Sequence, residues 1–382
     1  MADHTAAIAG VYEHPTREAP DKSTAQLHGD VAVGALEDAG LTKGDVDSYF
    51  TAGRPGRVMA MVDYLGLQGL EYVDSTDVGG TSYVSHVGHA AAAIAEGKCE
   101  VALVTMAGRP RSRSGDGGPP SGPQADFEET YGIGTVNMYA LAARRHMHEY
   151  GTTAEQLAEV RVAASEHAQY NEDAMFQDPV TVEDVVESRL VSDPLHLLDC
   201  CVVSDGGGAV VVVSPEVADD LDRDCVSVLG HGEAVKHHDA GDIDLTYTGA
   251  VESGPRAFEE AGITHDDVDY ASIYDSFTIT VVETLEDLGF CEKGEGGEFV
   301  EGGTLRAPDG ELPFNTDGGG LCNNHPANRG GMPKIIETVR QLRGEANEEV
   351  QVPDAEIGLS HGTGGSLGTR MTSTTLVLGG DR

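Results

Sequence analysis

Short apolar runs alternate with helix-periodic stretches along this chain, and the alternation is played twice; no other feature limits the fold so tightly. The run AAIAGVYEHP (6–15) is followed by STAQLHGDVAVGALEDAGL, whose apolar residues recur at three- and four-residue spacing up to Leu36. Ser23 is placed as its N-cap and Gly40 as its stop. VDSYFTAG reads as a strand, RPGRVMAMVDYLGL as a helix, and EYVDSTDVGG as a strand entering a double-glycine turn. TSYVSHVGHAAAAIAEGKC then reads as an Ala-rich helix and EVALVTMAG as a buried strand. Strands separated by helices predict parallel pairing in a layered α/β domain.

The pattern breaks at RPRSRSGDGGPPSGPQAD (109–126), a loop by its Gly, Pro and Ser content. Residues 127–200 read as mostly helical and inserted; strand character resumes at CVVSDGGGAVVVVSP. A second half opens near Ser227 and repeats the theme with helices at ESGPRAFEEAGI, TITVVETLEDLGF and MPKIIETVRQLRG. Its strands are DYASIYDSF, AEIGLSHGTGG and TSTTLVLGG. The expected organisation is two duplicated α/β halves, 1–225 and 226–382, with the first interrupted by a helical loop domain over about 109–200.

Charge excludes several functions. Asp and Glu number 65 against 24 Lys and Arg, a net −41. Such a surface repels nucleic acid and anionic membranes. The acids are spread through periodic segments, so the chain reads as a folded protein adapted to a salt-rich cytosol, where screening acts within a few ångströms. The opening MADHTAAIAG has no signal-peptide character, and no apolar run nears the length of a membrane span, so a soluble cytoplasmic protein is expected. The six cysteines form no CxxC pair or ligand-spaced cluster; neither a disulfide scaffold nor a metal site is expected.

Three glycine-rich turns carry potential chemistry. In DVGGTSYVSHVGHA, Gly79 and Gly80 would set Thr81 and Ser82 at a helix N-terminus, where free N–H groups favour developing negative charge. A hydroxyl there is either a nucleophile beside an oxyanion site or an N-cap. His86 and His89, on one helical face without a third ligand, read as structural. In NTDGGGLCNNHPANRGG (315–331), His325 is followed by Pro326 between two glycine clusters, a backbone shape suited to close approach of a ligand. In LSHGTGGS (359–366), His361 ends an apolar strand. Two histidines and a hydroxyl on three such turns satisfy nucleophile–base logic if the fold brings them together.

FNTDGGGLCNNHPANRGGMPKIIETVRQLRGEA resembles the thiolase segment that ends in His-Pro, with its following helix. SDGGGAVVV (204–212) resembles the thiolase Ser-Asp-Gly strand. YDSFTITVVETLEDLGFCEKGEGGEFV (274–300) and YGTTAEQLAEV (150–160) resemble the archaeal and sterol-carrier-type branch of that superfamily. The resemblance runs nearly end to end and implies the five-layered αβαβα thiolase fold. It implies that His325 activates the nucleophile and helps bind the thioester oxygen, and that His361 stands where many thiolases have the cysteine that moves the α-proton.

Two positions depart from the pattern: Gly80 stands where the nucleophilic Cys belongs, and Tyr274-Asp275-Ser276-Phe277 replaces the Asn-Glu-Ala-Phe motif. Ser82 is the nearest substitute nucleophile, with Thr81, Ser85 and Cys322 as weaker ones. Tyr274, Asp275, Asn315, Thr363 and Gly364 are the substrate or oxyanion candidates.

The leading expectation is a β-ketothiolase that acylates Ser82 from a CoA thioester, using His325 and His361 as bases and no prosthetic group. A thiolase-fold aldolase of the lipid-transfer type, working by proton transfer through tyrosines, is the alternative that Gly80 and Tyr274 favour. A CoA-binding subunit without catalysis is the third. The resemblance also implies a homodimer core working with a small zinc-ribbon and OB-fold subunit. Arg109, Arg111, Arg113, Lys236, His237 and His238 are candidates for the CoA phosphates. Polymer-precursor synthesis, isoprenoid supply and fatty-acid breakdown all stay open as pathways.

Overall fold

The computed structural model describes residues 5–53, 55–113, 134–237, 242–326, 330–367 and 369–380. Eleven strands are present among them: β1 (Ala7–Glu13), β2 (Ser48–Phe50), β3 (Tyr72–Asp74), β4 (Val101–Gly108), β5 (Leu190–Ser192), β6 (Leu195–His196), β7 (Gly206–Val213), β8 (Val226–Lys236), β9 (Tyr270–Ile273), β10 (Ile357–Ser366) and β11 (Thr369–Gly380). Nine of them form one sheet in the order β3-β2-β4-β7-β1-β8-β11-β10-β9, with β5 and β6 paired separately.

The duplication is visible in that order. In the first half β2 pairs parallel with β4, β4 antiparallel with β7, and β7 antiparallel with β1. The second half repeats these relations as β9–β10, β10–β11 and β11–β8. The halves join where Ala7 and Ile8 of β1 face Ser227 and Val226 of β8. The sheet is therefore mixed, not parallel throughout as the strand–helix alternation predicts. The inserted segment carries the chain back to the end of the sheet it left, so β7 runs against β4, and a hairpin does the same for β10 and β11.

Three apolar clusters define the layers. One outer layer, Thr24–Asp38 and Pro55–Leu65, packs Val31, Ala35 and Leu36 on the first half-sheet. Ser23 caps the first of these helices in a capping box with Gln26. In the middle, Ser82–Ala95 and Gly331–Arg343 pack against strands of both halves, with Val84, Val87, Ile335 and Ile336 in one cluster. Ala250–Ala261 and Thr278–Leu288 form the other outer layer, shared with the inserted helices Thr135–Tyr150 and Ala154–Ala168. This is the five-layered αβαβα architecture. Val210 to Val213 of β7 are fully buried, as a strand covered on both faces requires, each contributing about 1.5–3 kcal/mol. The insertion is helical as expected, but also contains the β5–β6 hairpin, too short for its periodicity to show. No described helix is long and apolar enough to cross a membrane.

His89 ties the two halves together. Its Nδ1 lies 2.7 Å from Asp74 on β3 and its Nε2 3.1 Å from Glu233 on β8. Hydrogen bonding to Asp74 and then Glu233 raises its pKa to about 9. Burial pushes both carboxyl groups up, but hydrogen bonds, including those from His89, outweigh it and hold them below their usual range. A histidine raised in the folded state stabilises fully below its unfolded pKa of about 6.5 and loses that contribution as pH climbs through about 9. The denaturant midpoint is expected to fall between pH 6.5 and 9.5, and His89→Gln to flatten that fall.

Candidate active site

A cavity of about 490 Å³ opens where the three glycine-rich turns meet the inserted helices, lined by Tyr139, Cys201, Tyr274, His325, Thr363 and Gly364 among others. It lies beyond the carboxyl ends of the parallel strands β9 and β10, where α/β sheets place their ligands. Ile273 pairs with His361, and the next residue, Tyr274, donates its N–H to the His361 carbonyl at 3.0 Å. Tyr274 thus leaves the sheet directly under the β10 glycines.

His325 is held from behind. Its N–H donates to Ser204 Oγ at 2.8 Å, and that hydroxyl donates to Asn324 Oδ1 at 2.6 Å. The stretch 201–204 is laced to two other loops, Cys201 N–H to the Ser276 carbonyl at 3.0 Å and Val202 N–H to the Gly320 carbonyl at 2.9 Å. The result is a chain of three side chains: Tyr274 Oη lies 2.8 Å from His325 Nε2, and Cys201 Sγ lies 3.5 Å from His325 Nδ1.

Glycine decides where the phenol goes. A Cβ on Gly80 would lie 2.5 Å from the Thr363 carbonyl oxygen and 2.7 Å from Tyr274 Oη. A Cβ on Gly330 would lie 2.8 Å from the Tyr274 ring and 3.1 Å from His325. The Tyr274 hydroxyl therefore occupies the space that a side chain at position 80 would fill. It can do so because two turns present bare backbone to it.

The electrostatics favour a neutral pair. Burial pulls His325 down to about 4, with the Asp275 carboxylate pulling weakly the other way. Burial pushes the Tyr274 phenol well above its usual range, opposed by a hydrogen bond from the Gly330 N–H. At neutral pH the pair is a neutral phenol beside a neutral imidazole.

Of the expected site residues, Tyr274, His325, Thr363 and Gly364 line the cavity. The Thr363 hydroxyl is buried without a hydrogen-bond partner among the described residues.

Ser82 does not come to the cavity, and the expectation for it is corrected. Its Oγ donates to the Gly79 carbonyl at 2.7 Å and accepts from Val78 N–H at 3.0 Å, closing the turn. Gly80 sits in the 3₁₀ turn Gly79–Thr81 and lines the cavity, whereas Ser82, the first residue of the helix, turns its hydroxyl back onto that turn. Ser82→Ala is expected to cost about 1–2 kcal/mol of stability in a denaturation curve and to leave turnover within a factor of two.

His361, Asp275 and Asn315 do not line the cavity either, and the His361 Nε2 is buried without a hydrogen-bond partner among the described residues. His361 is fully buried two residues below Thr363, with Nδ1 2.9 Å from Thr375 Oγ1. Asp275 accepts from Gly320 N–H at 2.8 Å and Leu321 N–H at 3.0 Å and pairs with Lys334. Asn315 brackets Ile273, accepting its N–H and donating to its carbonyl, both at 2.9 Å.

Cys322 is buried in the turn Gly319–Asn323, and Ser85 bonds Thr374. Thr81 is buried against Gly362. Arg109 and Arg111 bond Pro20 and Glu18, and Lys236 bonds the carbonyls of Asp244 and Tyr247. None of these, nor Arg113 or His237, lines the cavity, and His238 lies outside the described residues. Arg189, on its exposed rim, does. Arg189, Tyr139 and Cys201 escape sequence reasoning: Cys201 meets His325 across 124 positions, a contact no local spacing encodes. No group of three or more His, Cys, Asp or Glu among the described residues is arranged to hold a metal.

Residues 232–380 match the family model described as thiolase C-terminal domain-like. An acetyl-CoA acetyltransferase of Methanothermobacter thermautotrophicus is 34% identical over 95% of this chain and 97% of its own. A steroid side-chain-cleaving aldolase of Thermomonospora curvata is 34% identical over 99% of this chain and 98% of its own. Among solved structures, one titled Ltp2-ChsH2(DUF35) aldolase superposes with a TM-score of 0.89 at 34% identity, covering 99% of this chain and 98% of that one.

Proposed function

The chain belongs to the thiolase superfamily, in its sterol-carrier-type branch, and from that premise we propose that it makes or breaks a carbon–carbon bond of a CoA thioester by an aldol route, without an acyl-enzyme. One observation carries this reading. The place of the nucleophile is filled by the Tyr274 hydroxyl, 2.8 Å from His325 Nε2.

In the cleavage direction, Tyr274 Oη accepts the proton of a β-hydroxyl while its own proton passes to His325 Nε2. The Cα–Cβ bond breaks, its electron pair moves into the thioester as an enolate, and the β-carbon becomes an aldehyde or ketone. The proton returns to Cα, so no net proton, oxidant or cofactor is consumed. Thr363, which lines the cavity, is our candidate donor to the enolate oxygen, whose charge a preorganised donor stabilises best. Condensation is the same sequence reversed.

A second reading, acyl transfer as in a β-ketothiolase, is favoured by the 34% likeness to an acetyl-CoA acetyltransferase and by the Cys201 thiol beside His325. One experiment separates the two. The purified chain is incubated in molar KCl with acetyl-CoA and labelled CoA, and separately with a β-hydroxyacyl-CoA. The aldol route predicts aldehyde or ketone release, no label exchange and no mass adduct; an acetyl adduct with label exchange overturns it.

A small subunit of the DUF35 type is the partner we propose. The neighbour at TM-score 0.89 is titled as such an assembly, and here Val191, Leu197 and Val203, all exposed, line the cavity. Co-purification of the two chains, and faster cleavage in the complex than with the chain alone, test this.

A further inference from the structure

We propose that Cys201 is a positioning residue: its sulfur holds His325 in the tautomer with hydrogen on Nδ1, which leaves Nε2 open to take the Tyr274 proton. This rests on the Tyr274–His325 relay proposed above.

A neutral imidazole carries one N–H, and which nitrogen bears it is set by what the other nitrogen meets. The side chain within hydrogen-bond reach of Nδ1 is the Cys201 thiol, at 3.5 Å, a normal separation for an N–H···S contact. On the far side, Tyr274 Oη lies 2.8 Å from Nε2, close enough to donate its hydrogen there. With the sulfur accepting from Nδ1–H and the phenol donating to Nε2, both contacts are satisfied in one tautomer. In the other, Nε2–H would donate to Tyr274 Oη, and the phenol could not pass its proton on.

The sulfur is placed by backbone, not by chance packing. Cys201 N–H is fixed to the Ser276 carbonyl, and the flanking residues form bridges, Cys200 to Phe277 and Ser204 to Pro326. Phe277 follows the loop that bears Tyr274, and Pro326 follows His325. The strip 200–204 therefore registers the thiol against both members of the relay. Burial pushes the Cys201 thiol well up and pulls His325 down to about 4, so the two face each other as a neutral thiol and a neutral imidazole, not as the ion pair a nucleophilic cysteine uses.

A sulfur is a weaker orienting partner than a carboxylate, so the expected loss on removing it is moderate. Cys201→Ala is expected to lower kcat for β-hydroxyacyl-CoA cleavage about 10- to 100-fold with KM within twofold, and Cys201→Ser to recover most of it. In protein labelled with ¹⁵N-histidine, His325 of the unmodified chain should show the Nδ1–H pattern, and Cys201→Ala should redistribute it. Tyr274→Phe and His325→Gln run alongside.

Unchanged kcat in Cys201→Ala while Tyr274→Phe is inactive overturns the role of Cys201 alone. So does an Nε2–H pattern in the unmodified chain, a readout that holds even if the alanine variant does not fold. An acetyl adduct on Cys201 overturns it too, by making the thiol a nucleophile. Full cleavage by Tyr274→Phe instead removes the relay on which the inference rests.

Discussion

Tyr274→Phe is expected to lower kcat for cleavage of a β-hydroxyacyl-CoA by about 10²–10⁴-fold, the range for loss of a positioned proton-transfer group. The ring keeps its edge-on packing against His325, with centroids 5.5 Å apart, and only the hydroxyl is lost. KM and the denaturation midpoint should therefore stay near the unmodified values, which separates a chemical defect from a structural one. The steric complement is Gly80→Ala, whose methyl would sit 2.7 Å from the same hydroxyl and 2.5 Å from a carbonyl oxygen that cannot move freely. It should cost about as much activity, together with some stability, because it displaces the phenol from His325. The pH profile follows from the same pair. With His325 at about 4 and the phenol raised, both partners stay neutral across the middle range, so kcat should be flat from about pH 5 to 9. It should fall as pH drops through about 4, where a protonated His325 can no longer accept from Tyr274. A profile rising through pH 6.5 in the unmodified chain would contradict the burial that sets these values.

The other large effect is on stability. Asp275→Ala is expected to cost about 3–5 kcal/mol in urea denaturation. Asp275 and Lys334 are both about 1% exposed, with Oδ1 and Nζ 3.0 Å apart. Burial pulls the lysine's pKa down, but the Asp275 and Asp317 carboxylates outweigh it and keep it charged. Removing Asp275 leaves that charge in a dry interior and orphans the N–H groups of Gly320 and Leu321. Asp275→Asn with Lys334→Met removes both charges and should recover most of the loss. A double variant no better than Asp275→Ala would show that the cost lies in the two backbone hydrogen bonds and not in the stranded ammonium. The loop that Asp275 anchors leads directly to His325, so activity should fall with stability in the single variant and return with it.

The proposed proton relay is only partly legible in the sequence. His325, by its proline and surrounding glycines, and Tyr274, by its departure from the Asn-Glu-Ala-Phe pattern, both stand out on the page, and both line the cavity. Ser82 was a reasonable substitute for a missing nucleophile when judged by distance along the chain. In the structure its hydroxyl closes the turn on Val78 and Gly79, while of the two positions only 80 lines the cavity. His361 sits on the right strand, but two residues deeper than Thr363, so its imidazole packs against Thr375 instead of reaching substrate space. The Tyr139 and Cys201 contributions had no local signature at all.

What the amino-acid order determined by itself was the alternation of elements, their duplication and the position of the insertion. Helical and strand periodicity, caps and glycine stops act over a few neighbours and can be read there. The direction of β7, the filling of the Gly80 space by a phenol and the meeting of Cys201 with His325 were decided only by the tertiary structure. Each depends on the phase and depth at which segments far apart in the chain pack, and a hydroxyl or thiol acquires a chemical role only from the atoms that packing brings within hydrogen-bond reach of it.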